Sequence, residues 1–540
     1  MDSIIENIFH SLYSVESYKK EYSKIYKVHK YWARKPWYIV ERYIQGYSSP
    51  GDIIEDPFCG SGCLGMEAVI NGRNFIGQDL NPAALHVSRG TLLNGIALSE
   101  LDADLQKIKD ACYEQIMRLY KSDQLCDCCG QRLYFKDSMI GSKFKGNYKG
   151  RLYCPNCGAK GREVSLTDEQ VIAVTTIPEI EIEKWVPSAA FPKKFYKDRF
   201  SYKGISLVTD MFTRRNLYAL SILRDAIVNS GAKYKELLML AFTNTLLHVS
   251  KLKGENVRPL GVNNFWIPDD YIEENVWFRF EERLHNIREG KAVLAAREKT
   301  KAKDGIAYGS WTVRKQSALD SMGEECVDYF FTDPPYGDAI QYSELSYIWN
   351  AWLDEKYETA EEVIINPVQN KGEEEFRDLL SQSLANIYRA LKPEKFFTLC
   401  FQNKNSQVWK DVLQFCKKLG FRLIDVSIYD IYGSPYNKNW ANFSPKTDIY
   451  VTFQKTETPQ EYFYEETQTF ESIIREIVVY CKRNNIEANN NKLYDLTISY
   501  LIWAMFLNRL EIDIKGFNIK TFSKKANDII TSVNEDNGLF

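Results

Sequence analysis

Two alternating patterns of apolar and polar positions run along the chain, and each change of pattern marks a new element. Short apolar runs that end at an acid or a turn predict strands at DIIEDPF (52–58), NFIGQD (74–79) and CVDYFFTDPPY (326–336). The first two flank a helical stretch, CLGMEAVI (63–70), and further strands are predicted at FFTLCF, FRLIDVSIYDI and TDIYVTFQK. This succession predicts an α/β fold built on a doubly wound sheet.

Longer stretches with helical spacing lie before, between and after these strands. An amphipathic helix is predicted after Pro36, and apolar residues recur at helical intervals over 210–250. From about residue 456 the chain becomes acidic and then helical, without a strand pattern. We therefore divide the chain into an upstream segment with the first part of the sheet, an insert, the second part of the sheet and a separate C-terminal helical module, with the bounds 1–95, 96–305, 306–455 and 456–540.

Composition narrows the classes of protein that this pattern allows. The chain has 540 residues, of which 44% are apolar and 26% charged, and these values exclude a disordered or fibrous chain. The longest nearly apolar run, Ile498 to Leu507, is too short to span a bilayer, and the N-terminus lacks the pattern of a signal peptide. We expect a cytoplasmic protein without a membrane partner. The net charge of −3 does not indicate a nucleic-acid partner, which must be argued from local clusters.

A glycine-rich loop, DPFCGSG, follows the first predicted strand. Gly60 and Gly62 allow the backbone to approach a ligand closely, because glycine tolerates positive φ and has no side chain in the way. Asp79 ends the next strand, where an acid typically accepts hydrogen bonds from ribose hydroxyls. The alternative is an ordinary turn between a strand and a helix. Because GK[ST] is missing, the loop does not indicate a triphosphate site.

A second loop, DPPY, follows the predicted strand VDYFF. It suits methyl transfer to an exocyclic amine, whose nitrogen is a poor nucleophile because its lone pair is delocalised into the ring. The Asp333 carboxylate and the Pro334 carbonyl can accept both N–H protons and align the lone pair with an electrophilic methyl group. Tyr336 can stack on a base that has left the duplex. The alternative, a simple turn, would not need an acid, two prolines and an aromatic residue.

Two CxxCG motifs in the insert indicate a metal site. The four thiolates of Cys126, Cys129, Cys154 and Cys157 have the spacing for one tetrahedral Zn²⁺, with free thiols or a redox pair as the alternatives. Eight basic residues and one acid, Asp137, lie between positions 132 and 162. They either form a solvated surface or contact the phosphates of a nucleic acid. For phosphate contact we single out Lys143, Lys145, Lys149 and Arg151.

The two loops together resemble the cofactor and catalytic motifs of S-adenosylmethionine-dependent amino-methyltransferases. The segments HKYWARKP, GQDLNPAALHVSRG, MFTRRNLYALSILRDAI and YSELSYIWNAWL are similar to those of large bacterial adenine-specific DNA methylases with an inserted zinc ribbon. The resemblance extends, with gaps, from about residue 27 to 455. It implies a Rossmann-like methyltransferase sheet with an inserted zinc ribbon and helical region, plus the C-terminal module. It also implies S-adenosylmethionine as cofactor and a structural Zn²⁺.

The resemblance implies roles for individual residues. The cofactor would be bound by Lys35, Pro36, Asp56, Phe58, Gly60, Ser61, Gly62, Asp79 and Ser317. Lys35 and Pro36 would close its pocket from the upstream segment, and Ser317 with Gln316 would contact its adenine ring. The target base would be held by Asp333, Pro334, Pro335 and Tyr336. The chain departs from the group at Cys63, Gly337, Glu394-Lys395 and FTRRN, which leaves the exact subfamily and its target sequence open.

The function that these expectations favour is methylation of the 6-amino group of adenine in double-stranded DNA, with the target base flipped out. The setting would be restriction–modification or phage defence, with any cleavage supplied by a partner subunit. The insert, about 96–305, would recognise the target. Three alternatives remain: methylation of the 4-amino group of cytosine in DNA, methylation of an amine in RNA such as tRNA, and a binding subunit that has kept the fold without catalysis.

Overall fold

A computed structural model describes most of the chain. The residues it describes are 12–14, 18–141, 148–171, 182–192, 200, 203–255, 267–430, 448–456, 466–486, 490–506, 510–513 and 519–535. The strands are β1 Leu12–Ser14, β2 Ile53–Asp56, β3 Asn74–Asp79, β4 Lys121–Leu125, β5 Arg132–Gly141, β6 Tyr148–Tyr153, β7 Lys160–Leu166, β8 Asp270–Glu274, β9 Trp311–Lys315, β10 Val327–Thr332, β11 Leu391–Phe401, β12 Phe421–Asp430, β13 Asp448–Lys455, β14 Glu466–Thr469 and β15 Leu510–Asp513.

Helices connect and cover these strands. They are α1 Ser23–Tyr26, α2 Trp37–Tyr47, α3 Cys63–Ile70, α4 Pro82–Leu92, α5 Leu98–Arg118, α6 Arg214–Asn229, α7 Lys235–Leu246, α8 Val276–Lys303, α9 Tyr342–Leu345, α10 Tyr347–Leu353, α11 Glu373–Ala390, α12 Ser406–Leu419, α13 Phe470–Arg483, α14 Asn490–Phe506 and α15 Ile519–Glu535. The prediction of a helix at CLGMEAVI and a strand at NFIGQD is confirmed residue for residue by α3 and β3.

The main sheet has eight strands among the described residues, in the order β1-β12-β13-β11-β10-β2-β3-β9. Strand β13 is antiparallel to both of its neighbours, and the other pairs are parallel. Chain order reverses between β2 and β10: β2 continues to β3 on one side, and β10 continues to β11 on the other. Ligands of open α/β sheets bind at such a reversal, beyond the carboxyl ends of the strands. The predicted α/β class is therefore confirmed.

The insert leaves the sheet after α4 and returns at the edge strand β9. Its cysteine-rich part forms a separate antiparallel sheet, β4-β5-β6-β7, to which β8 adds beside β5. Strand β8 leads directly into α8, a helix of 28 residues that packs against the upstream segment and against α5 and α7. The charged stretch from Lys291 to Lys303 is the last part of this helix.

The C-terminal module shares its core with the main sheet. Buried residues of α13, α14 and α15 belong to one cluster with buried residues of β10 to β13, including Phe330, Phe397, Ile477, Leu501 and Phe522. The apolar residues Ile498 and Leu501 of α14 belong to this cluster. The stretch is not purely helical, because β14 and β15 form a two-stranded parallel sheet. Among the described helices, none has both the length and the apolar character that crossing a bilayer requires.

Candidate active site

The glycine-rich loop and the DPPY loop meet at the reversal point of the sheet. Strands β2 and β10 pair in parallel, with Ile54 opposite Tyr329, so both loops leave the sheet at the same edge. The last residues of the two strands are in contact, since the Thr332 hydroxyl donates a hydrogen bond to Oδ1 of Asp56 over 2.7 Å. One cleft is lined by residues of both loops. The two stretches are therefore brought together across the long intervening sequence.

The glycine-rich loop is held in shape by hydrogen bonds to its backbone. The Asp56 carboxylate accepts from the N–H of Phe58 over 3.0 Å, and Oδ2 of Asp79 accepts from the N–H of Gly60 over 3.0 Å. Gly60 and Gly62 have φ values of +50° and +74°, which favour glycine. A Cβ atom on Gly60 would lie 3.1 Å from the ring of Tyr31. The predicted need for glycine at this position thus follows from the backbone and from a close neighbour.

The acids of the cleft are buried, and burial raises their pKa values. Desolvation raises the pKa of Asp56 to about 7, although hydrogen bonds from Thr332 and Phe58 lower it. Desolvation likewise raises the pKa of Asp79 to about 6, against the lowering effect of N–H donors from Asn81 and Gly60. The Asp79 carboxylate accepts from the N–H of Gly60 in the loop and from the N–H of Asn81 just before α4, so this acid connects β3 to the glycine-rich loop.

The DPPY loop places Asp333 and Pro335 in the wall of the cleft. Tyr336 lies behind this wall, with its ring edge-on to Phe401 at a centroid distance of 5.5 Å. The side-chain amide of Asn403 donates to the Tyr336 carbonyl over 3.0 Å and fixes the end of the loop. The ring of Tyr336 is therefore occupied by packing in this conformation, and stacking on a base stays a prediction.

Lys35 connects the upstream segment to the DPPY loop. Its ammonium donates to the Tyr336 hydroxyl over 2.6 Å and lies 3.1 Å from both Oδ1 of Asp333 and Oδ2 of Asp448. These two carboxylates raise the pKa of Lys35 well above its usual value, against the lowering effect of burial. Lys35 does line the cleft, as a cofactor residue would, but its charge is directed at the DPPY loop. No motif in the sequence pointed to Asp448.

The other predicted site residues divide into those that line the cleft and those that do not. Phe58, Gly60 and Ser61 line it together with Asp56 and Asp79. Pro36, Gly62, Pro334, Tyr336 and Ser317 are not among its lining residues. Pro36 precedes α2, and its carbonyl accepts from the N–H groups of Ile39 and Val40 in the first turn of that helix. The Ser317 hydroxyl accepts from the N–H of Leu319 over 3.1 Å, and the neighbouring Ala318 is the residue that reaches the cleft.

Sequence reasoning missed an aromatic and acidic wall of the cleft, formed by Tyr31, Trp32, Tyr342, Tyr357, Glu361 and Glu362. The rings of Tyr31 and Tyr342 are stacked, with centroids 6.1 Å apart. Glu362 is buried and accepts from the Tyr357 hydroxyl over 3.1 Å. Tyr31 and Tyr342 stand in segments that carry the family resemblance, which was an available signal, whereas Tyr357 and Glu362 stand in a stretch without a motif.

The four predicted cysteines form one cluster in the insert. Their Sγ atoms all lie within 4.8 Å of one another, with 3.6 Å between Cys126 and Cys157 and 3.5 Å between Cys129 and Cys154. A tetrahedral Zn²⁺ with bonds of about 2.3 Å holds its sulfur ligands roughly 3.8 Å apart, and a disulfide needs about 2.05 Å. The geometry therefore fits a structural zinc site. Cys128 is exposed and lies outside the cluster.

The basic residues of the cysteine-rich sheet are partly neutralised. Arg151 forms two hydrogen bonds with the Asp137 carboxylate, over 2.7 and 2.8 Å, and Lys149 contacts Oε1 of Glu163 over 2.5 Å. Lys143 and Lys145 lie outside the described residues. Because an exposed ion pair is weak, a phosphate can still compete for Lys149. Phosphate contact by these four residues stays a prediction.

Comparison with known proteins identifies relatives of the N-terminal part. Residues 2–89, which include the upstream segment, the glycine-rich loop and Asp79, match a family described as DNA methylase. This stretch of the chain is similar to DNA methylases. The resemblance inferred from its motifs is confirmed for this part of the chain.

Two curated methyltransferases match short stretches. The type II methyltransferase M2.DpnII of Streptococcus pneumoniae is 43% identical over 63 residues, or 12% of this chain and 24% of the relative. The DNA adenine methyltransferase YhdJ of Escherichia coli (strain K12) is 36% identical over 76 residues, or 14% of this chain and 25% of the relative. The match therefore spans about a quarter of the length of these DNA methylases.

Among solved structures, an rRNA methyltransferase, aviRa from Streptomyces viridochromogenes, overlaps 81% of this chain and 94% of its own. The two are 8% identical and the TM-score is 0.27, a likeness too low to bear on fold or function.

Proposed function

We propose that this chain transfers a methyl group from S-adenosylmethionine to the 6-amino group of adenine in double-stranded DNA. The observation that carries the proposal is the single cleft in which the glycine-rich loop after β2 faces Asp333 and Pro335 after β10. A methyl donor and an amine must meet within contact distance for the transfer to occur. The match of residues 2–89 to DNA methylases supports the same reaction class.

The residues around the glycine-rich loop fit S-adenosylmethionine. When bound, this cofactor supplies a methyl group made electrophilic by its sulfonium. Positive φ at Gly60 and the absence of a side chain there let the backbone approach the cofactor closely. The carboxylate of Asp79 stands at the end of β3, where it would accept from the ribose hydroxyls. The Asp79 carboxylate, with a pKa of about 6, is mostly ionised at neutral pH and places negative charge at this side of the cleft, which suits a cationic ligand; Asp56, with a pKa of about 7, adds to this charge as the pH rises.

Asp333 would hold the target amine. Its carboxylate and the carbonyl of Pro334 would accept the two N–H protons and turn the lone pair of the nitrogen towards the methyl group. Burial raises the pKa of Asp333 to about 6, and the ammonium of Lys35 opposes this rise. The carboxylate is therefore mostly ionised at neutral pH and able to accept a hydrogen bond. The base reaches such a cleft only after leaving the duplex.

We infer the remaining parts of the function from the insert and the relatives. The insert, 96–305, would recognise the DNA target, and its cysteine cluster would bind a structural Zn²⁺ that holds β4 to β7 together. Adenine as the target base is supported by the name of the relative YhdJ, a DNA adenine methyltransferase. A restriction–modification or defence setting, with cleavage by a partner subunit, is supported by the type II methyltransferase M2.DpnII.

Methylation-sensitive sequencing tests the proposal. DNA from cells that express the wild-type chain is compared with DNA from cells that express Asp333→Ala. Asp338→Ala is the matched control, since Asp338 is exposed and pairs with Lys404 over 3.0 Å, away from the cleft. We expect a motif-specific 6-methyladenine mark that is lost only in Asp333→Ala. A 4-methylcytosine mark would show that the target base is cytosine and not adenine. A mark on RNA alone would overturn DNA as the substrate, and no mark in any nucleic acid would overturn the proposal that the chain is a methyltransferase.

A further inference from the structure

Lys35 and Asp448 meet Asp333 in a buried charge cluster that joins three distant parts of the chain. Lys35 comes from the upstream segment, Asp333 follows β10, and Asp448 is the first residue of β13. We propose that Lys35 and Asp448 are positioning residues that fix the orientation and the ionisation of the Asp333 carboxylate. This inference rests on the proposed function, because it assigns a task to the group that would hold the amine.

The geometry supports a positioning role more directly than a cofactor role for Lys35. The ammonium is 3.1 Å from Oδ1 of Asp333 and 3.1 Å from Oδ2 of Asp448, and it donates to the Tyr336 hydroxyl over 2.6 Å. The side chains of Lys35 and Asp448 are each only 8% exposed, against 22% for Asp333. Asp333 is thus the most exposed member of the cluster; Lys35 and Asp333 both line the cleft, and Asp448 is not among its lining residues.

Asp448 contacts the ammonium and is not among the residues that line the cleft. It is the first residue of β13 and is paired on one side, with Tyr429 of β12. Its backbone is therefore set by this pairing at the end of the strand. A lysine that is bound to a fixed carboxylate and to Tyr336 has little freedom left, so one oxygen of Asp333 is kept in one place. Directed acceptors of this kind determine how well an amine is oriented.

The charges of the cluster act on Asp333 in opposite directions. Burial raises its pKa, the Lys35 ammonium lowers it, and the Asp448 carboxylate raises it. The other titratable groups that face the cluster are Tyr336, Tyr342, Tyr450, Cys400 and Asp56. Burial or neighbouring anions raise the pKa of each of these groups, so the tyrosines and Cys400 are neutral at neutral pH, and Lys35 is the cation that contacts Asp333 among the described residues.

Substitution of the two positioning residues should shift the pH profile in opposite directions. Lys35→Met removes the cation, so the acid limb of the kcat profile should move up by about one pH unit or more, with a roughly tenfold loss of kcat below it. Asp448→Asn removes an anion, so the acid limb should move down. Lys35→Arg keeps the positive charge, so the acid limb of its kcat profile should stay close to that of the wild type. KM for DNA should change little in all three.

A matched control separates this effect from the loss of another lysine that pairs with an aspartate of the sheet. Lys392 of β11 is 37% exposed and pairs over 2.8 Å with Asp328 of β10, and neither residue lines the cleft. Lys392→Met should leave the acid limb in place. A second measurement does not need activity: in protein labelled with ¹³C at the aspartate carboxyl groups, the Asp333 signal, assigned by its loss in Asp333→Asn, should titrate with the same shifts.

The outcomes distinguish the inference from the proposed function. Opposite shifts in Lys35→Met and Asp448→Asn, with Lys35→Arg and Lys392→Met unchanged, support the positioning role. Shifts in the same direction, or none, overturn it even if the chain methylates DNA. If the wild-type chain methylates no nucleic acid, the proposed function fails, and the carboxyl titration still decides whether Lys35 and Asp448 control the ionisation of Asp333.

Discussion

Replacing Arg297 with methionine tests how the insert is tied to the cofactor side of the sheet. Arg297 lies near the end of α8 and donates two hydrogen bonds to the Glu67 carboxylate, over 2.7 and 2.6 Å. Glu67 belongs to α3, the helix that follows the glycine-rich loop. Both side chains are almost fully buried, at 1% and 0% exposure. The guanidinium also contacts Glu41 at 3.0 Å and lies over the rings of Tyr22 and Trp37.

The loss of unfolding free energy in this variant comes from the buried carboxylate of Glu67, which is left without its partner. Without Arg297, the buried Glu67 carboxylate keeps only the Tyr26 hydroxyl and loses its counter-charge. Removing one partner of a buried ion pair costs about 3–5 kcal/mol of unfolding free energy. Burial already raises the pKa of Glu67 and Arg297 opposes this, so the pKa rises further in the variant. The loss should therefore be largest at high pH and decrease as the pH falls and Glu67 becomes protonated.

Urea unfolding of the full chain, followed at two pH values, measures the effect. Arg288→Met is the matched control on the same helix, because Arg288 pairs with Asp102 at the surface, and we expect a change of only about 0–1 kcal/mol there. The double variant Arg297→Met/Glu67→Met should regain most of the lost stability, since no buried charge remains. A loss below about 1 kcal/mol in Arg297→Met, or a double variant no more stable than the single one, would refute the reasoning.

Three further outcomes are expected. Gly60→Ala should weaken S-adenosylmethionine binding, measured by calorimetry, by about tenfold. Left-handed backbone costs a non-glycine residue about 1–2 kcal/mol, and the new Cβ would lie 3.1 Å from the Tyr31 ring. Gly95→Ala is the control and should bind the cofactor normally, because Gly95 has a φ of +64° but no neighbour within 4 Å. Removing zinc with a chelator should increase hydrogen exchange in β5 and β6 and leave β2 and β10 protected; equal exchange with and without metal would contradict a structural zinc. Thr332→Val removes a hydrogen bond that lowers the pKa of Asp56, so the pH below which cofactor binding weakens should rise above that of wild type, and an unchanged binding profile would show that Asp56 does not contribute.

Much of the fold was predictable because its signals are local. The strand before Asp56, the helix from Cys63 and the strand that ends at Asp79 each follow from a few adjacent residues. The order of the strands is not local: the two loops meet because β2 and β10 pair in parallel at the centre of the sheet, and this pairing is seen only in the structure.

The partners of the buried charges were not predictable from the sequence. Lys35 and Asp448 are 413 residues apart, and no local pattern connects a lysine before α2 with the first residue of β13. The same holds for Arg151, where a run of basic residues indicated phosphate contact and the paired strand supplied Asp137. The C-terminal strands β14 and β15 were missed because each is short, and a parallel pair depends on residues far apart in the chain.

The point at which the insert joins the sheet has a consequence for how such a chain can diversify. The polypeptide departs after α4 and comes back as β9, which borders β3 at the rim, while β2 and β10 remain directly paired at the centre. Exchange or remodelling of the inserted part therefore leaves the register between Ile54 and Tyr329 untouched. Selection can alter the inserted part in successive lineages while the chemistry of the two central loops is inherited as a unit.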